Sequence, residues 1–178
     1  MIDRLHAGLI EVMKGAEELG YQGRYQKLEP VLLEAFDIPF MAEKSVGRYW
    51  KNIDDLERQR LVETFARYMV GTYANRFVGY SGQHFETLGE ERAPRETVLV
   101  QTRLINPEAE NVQLNYRLRP VDGEWKVIDV YLNGTVSELA LRRSEYSSLI
   151  KREGFPALLV ALEQKIAGFS SVPADSSF

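Results

Sequence analysis

The feature that most constrains the fold of this chain is Trp125–Leu132, a run of mostly apolar residues with strand-forming side chains. A strand that faces water on one side alternates apolar and polar residues, whereas this run is apolar on both sides. We therefore expect apolar material to cover each face of the strand. The predicted faces are Val127 with Tyr131, and Ile128 with Val130 and Leu132.

Asp129 is the polar exception within this strand. A buried carboxylate must be hydrogen-bonded, ion-paired or neutralised. We predict a structural role for Asp129, either as an acceptor of hydrogen bonds from the following turn or as the partner of an arginine such as Arg48. Service as a catalytic acid is the alternative. The dipeptide Asn133-Gly134 is a turn signal, so Gly134 is predicted to release the chain into a helix.

Length and composition favour one folded domain, predicted to span residues 1–169 with a flexible tail at 170–178. The net charge of -4 argues against nucleic-acid binding, which needs a basic excess. With no cysteine, disulfides and thiolate chemistry are excluded. The sequence has no apolar run long enough to span a membrane and shows no signal peptide.

Apolar spacing changes from helical to alternating near residue 83 and returns to helical near residue 136. We therefore expect an α+β fold, in which a four-stranded, mostly antiparallel curved sheet has helices packed on one face. The predicted helices are 2–19, a second after Gly23 that Pro30 kinks or delays, one from Asp37 to near Gly47, 52–78, 136–152 and 155–167. The predicted strands are 84–91, 96–105, 111–119 and 124–132.

The helix predicted over 52–78 has an unusually wide apolar face. Taken alone, such a face indicates a packed core more often than a ligand pocket. The strand predicted over 111–119 alternates cleanly and also presents one apolar face. Two apolar surfaces facing each other, with more bulk than a thin core needs, together favour an apolar cavity between them.

Catalytic chemistry has few candidates in this sequence. The chain contains two histidines, His6 and His84, and we expect neither to be catalytic because the partners of a hydrolytic or metal site are lacking. Neighbouring carboxylates fall at predicted helix ends or in turns, where a solvated surface role is the default. We expect no enzyme activity, no cofactor and no metal.

Two stretches resemble a known family. The strand Trp125–Val130, followed by Gly134 and a serine-containing helix start, is similar to a motif of the periplasmic toluene-tolerance, MlaC-type lipid-binding family. The stretch Phe36–Trp50 matches the F-D-x-x-x-M-A and G-x-x-W pattern of the same family. Residues 135–146 are most similar to its hopanoid-associated branch. The resemblance covers roughly residues 24–167.

The resemblance implies a cone-shaped, NTF2-like fold with an apolar cavity. It also implies a soluble periplasmic protein whose export signal has been removed. Its role would be to carry a lipid, either a hopanoid or a phospholipid, between an inner-membrane transporter and the outer membrane. Membrane contact would be transient, and nucleic acid would not be a partner.

Site residues follow from the two apolar faces together with the lipid that the resemblance implies. Arg142 and Arg143 are predicted to dock an acidic transporter subunit, with plain solvent exposure or contact with an anionic headgroup as alternatives. The predicted lipid-binding residues are Phe40, Met41, Trp50, Leu61, Phe65, Tyr68, Met69, Tyr73, Val98, Val100, Tyr116 and Leu118.

Two other functions remain open from the sequence. The first is a small NTF2-like enzyme that uses Asp129 as its acid or base. The second is a non-enzymatic adaptor whose apolar surface binds a protein partner, in which case the interior should be solid. Hopanoid and phospholipid cannot be separated from the sequence, and neither can the direction of transport.

Overall fold

The structure is a computed structural model that describes residues 1–170. Within those residues it is an α+β fold of six α-helices and a five-stranded antiparallel sheet. The helices are α1 Ile2–Lys14, α2 Ala16–Ala35, α3 Ile38–Val46, α4 Asp55–Arg76, α5 Glu138–Glu153 and α6 Phe155–Phe169. The strands are β1 His84–Ala93, β2 Thr97–Ile105, β3 Val112–Val121, β4 Glu124–Leu132 and β5 Val136–Ser137. The predicted flexible tail lies outside the described residues except for Ser170.

The first helix is shorter than predicted, because α1 ends before Gly15 and α2 begins at Ala16. The prediction that Pro30 kinks this helix or delays its start is wrong. Gly20, with φ +56° and ψ -175°, interrupts the helical backbone of α2, and the helix then continues through Pro30. This break falls where the first helix was predicted to end, after residue 19.

Side-chain caps fix the starts of α3 and α4, and the cap at Asp54 starts α4 three residues later than the predicted 52. The carboxylate of Asp37 accepts a hydrogen bond from the backbone N–H of Phe40 at 3.2 Å. Asp54 and Glu57 form a reciprocal capping box at the start of α4. Such caps satisfy backbone donors that have no partner within the helix. A short 3₁₀-helix, Gly47–Asn52, joins α3 to the loop before α4.

The sheet is a meander in the order β1-β2-β3-β4-β5, with one strand more than predicted. Asn133 and Gly134 both have positive φ, and they turn the chain back as β5 before α5 begins. The prediction that this turn leads directly into a helix was therefore wrong. Glycine is needed here for its φ of +77°, and also because a Cβ would lie 3.1 Å from the side chain of Gln113.

A β-bulge at Ile128 corrects the predicted faces of β4. Leu118 pairs with Val127 and Arg117 pairs with Asp129, so Ile128 is the extra residue. Val127 therefore shares the core face with Val130 and Leu132, whereas Tyr131 lies on the opposite face with Asp129. The predicted pairing of Val127 with Tyr131 on one face was wrong, because a bulge reverses the alternation.

One hydrophobic cluster joins the helices to one face of the sheet. The alternation predicted for β3 is confirmed, since Leu114, Tyr116 and Leu118 belong to this cluster. The opposite face carries Arg117 and Arg119. In the part of the chain that the structure describes, no helix combines the length and the apolar character needed to cross a membrane.

Candidate functional site

A small cavity lies where α3, α4 and α5 meet the core face of β3 and β4. Its volume is about 40 Å³, room for roughly three water molecules. It lies between α4 and the sheet, as expected, but it is much smaller than the elongated cavity that the two apolar faces predict. The cavity is lined by Phe36, Met41, Met69, Thr72, Tyr73, Arg76, Phe77, Leu114, Val130, Leu132, Glu138, Leu139 and Arg142.

Aromatic rings form one wall of the cavity. The ring of Phe36 meets that of Tyr73 edge-on, with centroids 5.8 Å apart. Tyr73 in turn stacks on Phe77, the residue that follows α4, at a centroid distance of 5.5 Å. Burial raises the pKa of Tyr73, an effect that Arg142 and Arg76 oppose only in part. The Tyr73 hydroxyl therefore stays protonated at neutral pH and keeps a hydrogen to donate.

Charged side chains stand at one side of this mostly apolar cavity. The side chain of Arg142 is only 12% exposed, and its Nη2 lies 3.7 Å from the Oε2 of Glu138. Its guanidinium also lies over the rings of Phe65 and Tyr68, at 5.6 and 5.4 Å from their centroids. Arg76 lines the same space. Two guanidinium groups against one carboxylate leave a net positive edge.

Asp129 fastens the start of α5 to β4. Its side chain accepts hydrogen bonds from the hydroxyl of Ser137 at 2.6 Å and from the backbone N–H of Leu139 at 3.1 Å. It also accepts one from the N–H of Val130 at 2.8 Å. Ser137 in turn caps α5 by accepting from the N–H of Ala140. We call Asp129, Ser137 and the N–H of Leu139 the clasp.

On the other side of the clasp, an open groove of about 580 Å³ runs between α3, α5 and the outer face of the sheet. Arg143 lines this groove, whereas its neighbour Arg142 lines the cavity. Leu139 borders both spaces. The first turns of α5 thus separate a small, mostly apolar space from a larger and more open one.

The family model for the MlaC protein matches residues 3–164. The chain belongs to the MlaC family. The intermembrane phospholipid transport system binding protein MlaC of Haemophilus influenzae is 24% identical over 143 residues, which cover 75% of this chain and 64% of that protein. This chain therefore spans less than two thirds of that relative.

A solved structure gives the same fold. The phospholipid-binding protein of Ralstonia solanacearum, in complex with a phospholipid, superposes with a TM-score of 0.82. The match covers 95% of this chain and 96% of that one, at 21% sequence identity. The resemblance to MlaC-type proteins in the sequence is thereby confirmed at the level of the family. Nothing in these matches separates the hopanoid-associated branch from the rest.

Of the predicted lipid-binding residues in this MlaC-family chain, the structure brings three to the cavity: Met41, Met69 and Tyr73. Three others, Leu61, Phe65 and Tyr116, are packed in the core with no more than 1% exposure. None of these three is among the residues that line the cavity.

The remaining predicted residues are dispersed. Phe40 lines the groove. Tyr68 stacks on Phe169, and Trp50 lies beneath the guanidinium of Arg58. A separate cleft of about 330 Å³ beside the start of α1 is lined by a third group, Val98, Val100 and Leu118.

Several cavity residues were missed by the sequence prediction. Leu114, Val130 and Leu132 come together through the register of β3 against β4, which no local pattern reveals. Phe77 does lie on the apolar stripe of α4, and that stripe was a usable signal. For Arg142, the signal was its position three residues after Leu139 and four before Tyr146, which places it on the buried face of α5.

The two histidines lie apart from the cavity. His6 is buried, stacks on Phe85 at a centroid distance of 3.7 Å, and has its Nε2 3.3 Å from the Tyr116 hydroxyl. Burial lowers the pKa of His6 to about 4, although Asp3 opposes the shift. His84 is exposed, 3.8 Å from Glu86. No cluster within residues 1–170 has three or more side chains suited to hold a metal.

Proposed function

We propose that this protein is a periplasmic carrier that binds a phospholipid by its acyl chains and moves it between an inner-membrane transporter and the outer membrane. The observation that carries the proposal is the apolar cavity with a cationic edge, in a chain of the MlaC family. The phospholipid complex of the Ralstonia solanacearum protein, which has the same fold, supports the ligand class.

The apolar wall of the cavity provides the driving force for holding an acyl chain. Each CH₂ group removed from water contributes about 0.8 kcal/mol. A carrier must offer a lipid an environment about as apolar as the bilayer, because a weaker site would not extract the lipid and a much stronger one would not release it. Methionines such as Met41 and Met69 suit this task, since their unbranched side chains adapt to different chain shapes.

The cationic edge favours a phospholipid over a hopanoid. A phosphodiester is an anion that guanidinium groups bind through charge-assisted hydrogen bonds. Arg76 and Arg142 stand beside the cavity, and the protonated Tyr73 hydroxyl is close enough to both to feel their charge. A neutral fused-ring skeleton would gain from the apolar wall but would offer no anion to these groups.

Loading requires the cavity to grow. Ligand pockets usually measure about 300 to 1,000 Å³, against about 40 Å³ here. Movement of the first turn of α5 is the simplest route, because Glu138, Leu139 and Arg142 form one wall and the hydrogen bonds of the clasp and of β5 tie that turn to the sheet. Leu61 and Phe65, by contrast, are packed on all sides.

Asp129 is better suited to this structural task than to catalysis. Its two carboxylate oxygens already accept three hydrogen bonds from the strand and the helix start. A general acid or base needs an oxygen directed at a substrate. The adaptor alternative gains no specific support from the site.

Lipid analysis tests the proposal directly. The protein is exported to the periplasm of a Gram-negative host that makes both lipids, purified without detergent and extracted for mass spectrometry. We expect diacyl phospholipid, and the purified protein should move a fluorescent phospholipid between vesicles. Recovery of hopanoid alone would reassign the ligand, and absence of both lipid and transfer would overturn the carrier function.

A matched pair of variants makes the test specific to the cavity. Leu132→Trp places a large ring into the cavity wall, whereas Leu88→Trp makes the same change at an exposed position on β1. We expect the first variant to lose bound lipid and the second to keep it, with thermal melts confirming that both are folded. Equal lipid content would place the ligand elsewhere, with the cleft beside Val98 and Leu118 as the next candidate.

A further inference from the structure

The groove on the outer face of the sheet concentrates positive charge in a protein that is negative overall. The chain carries a net charge of -4, yet five cationic side chains and one carboxylate line this groove in the described structure. Its lining consists of Phe40, Lys44, Arg95, Thr97, Arg117, Arg119, Ile128, Asp129, Ser137, Leu139, Ala140 and Arg143. Such a local reversal of charge attracts an anionic partner to one place on the surface.

Two of the five cations are already paired. Arg119 binds the buried carboxylate of Asp37, with Nε 2.6 Å from Oδ2, and its guanidinium covers the ring of Phe40 at 4.2 Å. Lys44 lies 2.6 Å from the carboxylate of its neighbour Glu43. These contacts position one wall of the groove but leave little charge for a ligand.

The other three cations have no carboxylate within ion-pair distance among residues 1–170. Arg117 donates to neutral oxygens, the hydroxyl of Thr97 at 3.1 Å and the carbonyl of Pro94 at 3.2 Å. Arg143 packs against the backbone of Gly47. Arg95 stands in the β1–β2 turn with φ +62°. The three guanidinium groups therefore line one recess without acidic partners.

The single carboxylate in the groove does not cancel this charge. Asp129 is opposite Arg117 in the β3–β4 register, but its oxygens accept from Ser137 and Leu139, and its single negative charge is outnumbered by the three guanidinium groups that have no carboxylate partner. The groove also has apolar surface, supplied by Phe40, Ile128 and Leu139. Ile128 faces this side because of the bulge in β4. The recess thus combines cationic walls with an apolar floor.

We infer that the groove docks an acidic segment of a protein partner, with carboxylates bound by Arg95, Arg117 and Arg143 and an apolar side chain against Ile128. The inference rests on the proposed carrier function for its purpose, since a carrier must meet the protein that loads or unloads it. A recess between two helices and a sheet fits an extended peptide, whereas a flat bilayer surface would meet protruding side chains. Complementary charge raises the rate of association, and bidentate guanidinium–carboxylate pairs make the docking specific.

A synthetic peptide tests the inference with the full chain. The probe is a fluorescein-labelled decapeptide with four glutamates and two leucines, and the control probe has glutamine in place of each glutamate. By fluorescence anisotropy at low salt we expect the acidic peptide to bind and the glutamine peptide to bind at least tenfold more weakly. Affinity should fall as salt rises. Failure of the acidic peptide to bind at millimolar concentration and low salt overturns the inference.

A matched pair of charge reversals locates the binding. Arg95→Glu with Arg143→Glu reverses two groove cations, whereas Lys151→Glu with Arg152→Glu makes the same charge change at the exposed end of α5. We expect the groove variant to bind the acidic peptide at least tenfold more weakly and the control variant to bind it within twofold of the parent. If both variants bound the peptide equally weakly, net charge alone would explain the binding, and the inference that the groove is the binding site would be overturned.

Two further measurements separate this inference from the carrier function and from membrane binding. Lipid content and lipid transfer between neutral vesicles, measured without any partner, should be unchanged in the groove variant. If the protein bound the peptide but carried no lipid, the carrier function alone would be refuted. If it transferred lipid but did not bind the peptide, the inference about the groove alone would be refuted. If the groove variant lost binding to phosphatidylglycerol vesicles but not to the peptide, the partner would be a membrane surface and the inference would fall.

Discussion

Arg142 and Arg143 are neighbours on α5, yet they belong to two regions with opposite character. Arg142 is nearly covered, lies against aromatic rings and borders the apolar cavity. Arg143 is exposed and borders the cationic groove. Successive residues on a helix point about 100° apart, so one helix can serve both regions. The comparison shows that burial, rather than residue type, decides what an arginine can do here.

The two regions also differ in how easily they can change shape. The cavity side is enclosed by packed rings and buried aliphatic side chains, so any ligand there must displace protein atoms. The groove is open and already has room for a segment of chain. We therefore expect substitutions on the cavity side to alter lipid binding, and substitutions on the groove side to alter binding of a protein partner.

Acidification is expected to have the largest effect and to act on neither region directly. His6 has a pKa of about 4 in the fold and about 6.5 in an unfolded chain, so the unfolded chain binds more protons between these values. Stability due to His6 is fully present above pH 6.5 and is lost as the pH falls towards 4, by roughly 3 kcal/mol.

Urea unfolding between pH 7 and pH 4 measures this effect, with His6→Phe as the comparison. The variant removes the titrating group while keeping a flat ring beside Phe85. Its stability should fall less steeply with pH than that of the parent protein. Parallel curves for the two proteins would mean that other groups account for the acid sensitivity. If mild acid also released bound lipid while the groove still bound its partner, protonation of His6 would be coupled to the cavity.

Removal of the clasp is expected to have the next largest effect. Asp129→Ala leaves the Ser137 hydroxyl and the Leu139 N–H without their acceptor, so we expect the free energy of unfolding to fall by roughly 1–3 kcal/mol. Chemical denaturation measures it. Because the clasp holds the wall shared by the two regions, lipid exchange should become faster. If Asp129→Ala were as stable as the parent protein but lost turnover of some substrate, the result would instead support the alternative in which Asp129 is the acid or base of an enzyme.

Charge reversal at single arginines sharpens the contrast between the two regions. Arg142→Glu places a carboxylate beside Glu138 at the cavity edge, and we expect lipid content to fall about tenfold, equivalent to about 1.4 kcal/mol. Arg143→Glu should keep its lipid. Extraction and mass spectrometry of both variants supply the measurement.

The placement of Arg142 also revises the expectation that both arginines simply dock a transporter. Loss of lipid in both the Arg142→Glu and the Arg143→Glu variant would show that the pair supports the fold. Loss in neither would show that Arg142 only packs against its neighbours and does not bind the lipid. Thermal melts of each variant distinguish failure to fold from failure to bind.

The smallest expected effect is kinetic and confined to the groove. Arg143→Glu should slow lipid transfer to membranes that contain the transporter by about threefold at low salt, and by less at high salt, because exposed charges act mainly on encounter. Stopped-flow transfer assays at two salt concentrations measure the ratio. An equal slowing at both concentrations would indicate a contact made in the bound complex rather than steering.

Local features of the fold could be predicted from the sequence. The start of α3 at Asp37 and the alternation of β3 depend on residues close together in the chain, and each appears in the structure. The family could also be predicted, since the residues of the Phe36–Trp50 and Trp125–Val130 motifs lie close together in the sequence. The antiparallel meander followed from consecutive strands joined by short turns.

The interior of the site could not be predicted in the same way. The bulge at Ile128 depends on how β4 pairs with β3, and it changes which side chains face the cavity. The wide face of α4 predicted a long pocket, but Leu61 and Phe65 pack tightly against other elements instead. Sequence patterns show which side chains are apolar, whereas the distance between two packed elements depends on all the residues between them.

The free edge of the sheet bears on how such a protein behaves at high concentration. β1 is an edge strand ten residues long, and an exposed edge of that length can pair with the edge of another molecule. Here the register shifts between Thr87 and Gly89, and charged side chains, Glu86, Glu90, Glu91 and Arg92, stand along the strand. The irregularity and the charge oppose strand addition, so this edge is protected against growth into aggregates while the opposite end of the sheet, at β5, is limited to two residues.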